Sequence, residues 1–76
     1  MKVAIIKYNA GNVQSVQYAL QRIGVSSVVT DDAETIQKAD KIIVMEKGEI
    51  VEMGTHQELI LRSGYYKNLF DLQFRE

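Results

Sequence analysis

Seventy-six residues suffice for one domain, whose single core buries roughly 60 to 65% of the surface an unfolded chain would expose. Hydrophobic residues at 46% and charged residues at 25% fit a globular chain rather than a disordered one, and nine basic against ten acidic side chains leave a net charge of −1. No basic run is present to follow a phosphate track, which argues against nucleic acid, and the lack of cysteine excludes disulfides, thiolate metal sites and cysteine nucleophiles.

Met1-Lys2-Val3-Ala4-Ile5-Ile6 is far shorter than a signal-peptide core or the ~20 residues that span a bilayer, so no membrane association and a cytoplasmic setting are expected. The same run, continued to Tyr8, suits a central strand covered on both faces. Asn9-Ala10-Gly11-Asn12 then offers turn and N-cap chemistry ahead of Val13, Val16, Leu20 and Ile23, which line one helical stripe. Gly24 is expected to close that helix as a left-handed residue.

Val25 to Thr30 reads as a second strand, and Asp31 with Glu34 three residues later resembles a capping box opening a short helix through Ile36 and Ala39. Ile42-Ile43-Val44-Met45 is a third strand, joined through the two-residue turn Lys47-Gly48 to an antiparallel fourth, Ile50 to Met53. Thr55 and Glu58 form a capping box for a helix that carries Leu59, Ile60 and Leu61 and stops near Ser63-Gly64. A last helix presents Tyr65, Tyr66, Leu69, Phe70, Leu72 and Phe74.

The order βαβαββαα, with right-handed crossovers and the most apolar strand inside, gives an α/β sheet of order 2-1-3-4 in which strand 4 is antiparallel and the first two helices take opposite faces. Periodicity leaves open which face the two C-terminal helices cover. Strands 2 and 4 are free edges, and Lys41, Glu49 and Glu52 would discourage pairing near the hairpin.

Lys2-Val3-Ala4-Ile5-Ile6, Tyr8-Asn9-Ala10-Gly11-Asn12, Ser15-Val16, Ala19-Leu20, Gly24, Val29-Thr30-Asp31-Asp32 and Ala39-Asp40 closely resemble the start of the glutaminase subunits of imidazole glycerol phosphate synthases. Those are class I glutamine amidotransferases with a flavodoxin-like fold. From Ala39-Asp40-Lys41-Ile42-Ile43-Val44-Met45 through Glu46-Lys47-Gly48-Glu49-Ile50-Val51-Glu52-Met53-Gly54-Thr55-His56-Gln57-Glu58-Leu59 to Gly64-Tyr65-Tyr66-Lys67-Asn68-Leu69, the chain is similar instead to the end of an ATP-binding cassette domain of an exporter, a P-loop NTPase.

The two resemblances, residues 1 to about 43 and about 35 to 76, meet within 35–43. Together they imply one domain built as an engineered chimera, a three-layer flavodoxin-like/P-loop-like hybrid. They also imply lost chemistry. A hairpin at Glu46-Lys47-Gly48 stands where the amidotransferases continue into their oxyanion loop, and the phosphate loop, metal-holding aspartate and signature loop of the ATPases have no counterpart. Asp31 occupies the position matching the ATPase switch histidine.

The expectation is therefore a scaffold with no catalytic residue, cofactor or metal, requiring no partner, and monomeric, with a homodimer as the alternative. The lone His56, on the first turn of a helix without a second ligand or base, is expected to be exposed and structural. The Asp31-Asp32 pair reads as a helix cap before it reads as a cation site. Asn9, Gly11 and Asn12, at the end of the first strand, are the candidates for weak anion binding, against the plainer reading of a strand-helix connection. The aromatic stripe reads as core, with a partner-binding or self-associating face as the alternative.

Overall fold

A computed structural model describes residues 1–7 and 13–74, the side chains of Gln73 and Phe74 excepted. The chain runs β1 (Lys2–Lys7), α1 (Gln14–Arg22), β2 (Ser26–Val29), α2 (Ala33–Lys38), β3 (Lys41–Glu46), β4 (Glu49–Gly54), α3 (His56–Arg62) and α4 (Tyr65–Leu69), the last continued by a wider π-type turn over Phe70–Phe74. One four-stranded sheet has the order β2-β1-β3-β4, with β1 parallel to β2 and β3 and with β4 antiparallel to β3. This is the expected topology. It places Val3, Ala4, Ile5 and Ile6 inside, each no more than 3% exposed.

The sheet has a core on each face. Val3, Ile5, Ile43 and Met45 pack with Val13, Val16, Leu20 and Val25, the side covered by α1. Ala4, Ile6, Ile42 and Val44 pack with Ile36, Leu59, Tyr66 and Leu69, so α2, α3 and α4 all share the opposite side. α1 and α2 take opposite faces, as two crossovers of one hand must when the first runs from β1 out to β2 and the second returns past β1 to β3. The question that periodicity left open is settled by strand pairing: Ile42 and Val44 turn toward α2, and that face needs the wider cover.

Local chemistry explains the joints. α1 ends in a Schellman motif, with Val25 N–H donating to Leu20 O at 2.9 Å and Gly24 N–H to Gln21 O at 3.0 Å, while Gly24 takes φ +78°. Ile23 sits at the C-cap and is 73% exposed, so the apolar stripe stops at Leu20. The α2 cap is one residue later than expected: Asp32 accepts from Thr35 N–H, because Thr30 Oγ1 already accepts from Asp32 N–H and turns the chain there.

Lys47 (φ 53°) and Gly48 (φ 80°) form a type I′ turn between the paired Glu46 and Glu49. A register shift between Val44 and Met45 gives β4 a bulge at Val51, since Val44 pairs with Glu52 and Met45 with Ile50. The Thr55–Glu58 capping box forms in both directions, at 3.2 and 2.9 Å. Leu61 and Leu72, expected on buried stripes, are exposed: short α3 offers the sheet one narrow side, and Leu72 lies beyond α4 in the wider π-type turn.

α3 stops at Ser63-Gly64, as expected, with Ser63 at the C-cap in the left-handed conformation, φ 56°. Gly64 is needed for space, since a Cβ there would run into the Glu52 carboxylate. That carboxylate accepts a 2.7 Å hydrogen bond from Tyr66 N–H and so fixes the start of α4 on β4.

Candidate functional site

Strand order reverses about β1, with β2 on one side and β3 on the other. The carboxyl end of β1 is therefore the crevice where an open α/β sheet accepts ligands. Asn9, Gly11 and Asn12, named above as anion-binding candidates, lie outside the described residues. Among the described residues, this end of the sheet is rimmed by exposed Lys7 at the end of β1, Thr30 beyond β2, and the Lys47-Gly48 turn beyond β3. Thr30 N–H extends the β1–β2 ladder by donating to Ile5 O at 3.1 Å.

Asp32 lies on this rim, yet its carboxylate is already occupied. Oδ2 accepts from the Thr35 hydroxyl at 2.7 Å and from Thr35 N–H at 2.9 Å, and these bonds hold its pKa below the usual carboxylate value. An acid so engaged caps α2. No group of three or more His, Cys, Asp or Glu side chains suited to a metal ion is found among the described residues.

His56 differs from expectation. It is half-buried, and its Nδ1 lies 2.6 Å from the Tyr66 hydroxyl. The imidazole meets the Tyr66 ring edge-on, with centroids 5.6 Å apart, and lies 5.3 Å from the Phe70 ring. Tyr66 itself is fully buried, and burial pushes its phenol up to about 12. The Tyr66 hydroxyl and the His56 imidazole thus share a hydrogen bond that joins the first turn of α3 to α4. His56 is half-buried rather than exposed as expected. The separation of ten positions between His56 and Tyr66 explains why spacing alone could not reveal the pair.

Glu58 is engaged as well. Thr55 N–H, then the Thr55 hydroxyl, holds its carboxylate below the ordinary range. The titratable groups near helix starts therefore serve the helices. Nothing in their arrangement pairs a nucleophile with a base.

No family model matches the chain. Among curated proteins, the imidazole glycerol phosphate synthase subunit HisH of Bacteroides thetaiotaomicron is 48% identical over 69 residues, covering 91% of this chain and 35% of that protein. The same subunit of Bacteroides fragilis is 61% identical over 49 residues, 64% of this chain and 25% of its own length. The ATP-dependent lipid A-core flippase of Haemophilus ducreyi is 42% identical over 64 residues, 84% of this chain and 11% of the flippase.

The chain is similar to two families at once. Its amino-terminal part carries the likeness to the amidotransferase subunit and the remainder the likeness to the transporter ATP-binding region, the composition of a chimera. It spans about a third of the amidotransferase subunit and about a ninth of the flippase.

Proposed function

We propose that the chain is a chimeric scaffold that folds without catalytic activity, an amidotransferase fragment completed by an ATPase fragment. One observation carries this reading: β3 returns directly into β4 through the tight Lys47-Gly48 turn. The segment after this strand, where the amidotransferase resemblance calls for an oxyanion loop, is spent on closing the sheet. The short spans of either relative that the chain covers support the same reading. Glutaminase and ATPase assays on the purified chain should give rates at background, and saturable turnover of glutamine or ATP would overturn the proposal.

The strand reversal at β1 favours a second reading, a module that takes an inorganic anion at Asn9, Gly11 and Asn12, which follow β1 in the sequence. Titration with phosphate, followed by amide chemical shifts, separates the two. Saturable shifts confined to residues 7 to 13 support the module, and flat spectra leave the scaffold.

A further inference from the structure

The two edges of the sheet are not alike. On β4, the Arg62 guanidinium donates to the Met53 carbonyl at 3.0 Å, the strand is bulged at Val51, and Glu49 and Glu52 add charge. Each of these blunts an edge. β2 has none of them: Ser26-Ser27-Val28-Val29 contains no charge, no proline and no bulge, and it is the outermost strand. Val28 and Val29 are 47% and 39% exposed.

The ladder fixes which groups β2 leaves open. Thr30 donates to Ile5 O, so the alternation of a parallel pair turns Val28 and Thr30 toward β1 and leaves the N–H and C=O of Ser27 and Val29 facing out. We propose that two copies of this chain pair antiparallel through these edges, about a two-fold axis passing between the two Val28 residues, so that both sheets become one. Ser27 of each copy then exchanges both backbone hydrogen bonds with Val29 of the other. Val28 falls opposite its own copy in the non-hydrogen-bonded position, where side chains approach most closely, with Cβ atoms about 4.5 to 5.5 Å apart.

The surroundings of β2 complement this register. Val28 pairs with Ala4 and so lies on the α2 side, beside a groove of about 410 Å³ that Glu34, Thr35 and Lys38 border from the helix. Glu34 and Lys38 bridge at 2.7 Å, and both side chains are 74% exposed. α2 returns the chain from the top of β2 to the foot of β3, where Asp40 N–H bonds to Lys2 O at 2.9 Å, so α2 runs antiparallel to β2.

A two-fold axis normal to the sheet reverses α2 in the second copy and sets Glu34 of one across from Lys38 of the other. Parallel association, about an axis along the strands, would put the two α2 helices on opposite faces and forgo this charge pairing. The pair of grooves closes over Val28 and its mate, burying an edge that water otherwise solvates. Four-residue strands and two narrow grooves bury less than the roughly 1,200 Å² of a lasting interface, so the dimer is weak and concentration-dependent. It holds whether or not the chain has any catalytic activity.

Sedimentation velocity on the full chain from micromolar to millimolar concentration tests this, with circular dichroism confirming that each variant is folded. The average mass should rise with concentration. Val28→Lys places two ammonium groups together on the axis and should weaken association about tenfold or more. Glu34→Lys should weaken it, and Glu34→Lys combined with Lys38→Glu should recover it. Amide shifts that depend on concentration should centre on Ser26 to Val29. A monomer at every concentration, association indifferent to Val28→Lys, or a double charge swap no better than the single one would each overturn the dimer.

Discussion

Glu52 and Gly64 show how one side chain can set the identity of a distant residue. The Glu52 carboxylate fixes the α3–α4 corner by accepting from Tyr66 N–H, and it occupies the space that a side chain at position 64 would need. Gly64→Ala should therefore lower stability by about 1 to 3 kcal/mol, the cost of pushing that carboxylate off the Tyr66 N–H it satisfies. The loss should shrink when Glu52 has already been replaced by alanine, because the two residues share one space. Denaturant unfolding of the four proteins in that cycle measures the effect, and equal losses in both backgrounds would refute it. A sequence shows only that a helix stops near Ser63-Gly64, whereas the reason for glycine lies twelve residues earlier on another element.

Helix ends and turns behave differently, because their determinants are close in the chain. The Thr55–Glu58 box, the Gly24 stop and the Lys47-Gly48 turn are set by neighbours within about a turn of backbone, and each forms as its residues imply. The hairpin carries a small local penalty, since Lys47 holds φ 53°, a region that asparagine tolerates better. Lys47→Asn should raise stability by a few tenths to about 1 kcal/mol, read as a higher midpoint in thermal melting. A lower midpoint would mean that the lysine contributes something the turn geometry does not reveal.

Features that need two elements at once were not legible. Neither the face taken by α3 and α4, nor the exposure of Leu61 and Leu72, nor the His56–Tyr66 bond follows from any single stripe. The candidate site shared this fate. Strand order points to the end of β1, while the hydrogen bonds from Thr35 to Asp32 Oδ2, which make Asp32 rather than Asp31 the cap of α2, depend on how Thr30 turns the chain.

Taken whole, the molecule is held together across the place where its two likenesses meet. β1, from the amidotransferase-like part, pairs along its length with β3, from the stretch where the two resemblances run together. At the foot of that pair Asp40 grips Lys2 twice, N–H to carbonyl at 2.9 Å and carboxylate to N–H at 2.6 Å. The amidotransferase-like part and the part that follows are thus joined strand to strand in the middle of one sheet.

The layers outside those strands are uneven, with α2, α3 and α4 stacked on one side and α1 alone on the other. α1 contributes no fully buried residue, touching the sheet only through half-sheltered Val16 and Leu20 along with Val13 before it. Local opening is cheapest where little apolar surface must be wetted. Amide protons of α1 should accordingly exchange for deuterium well before those of β1 and β3, and equal protection throughout would contradict this. The protein breathes on one side: its lone helix can lift and resettle while the opposite stack keeps the sheet intact.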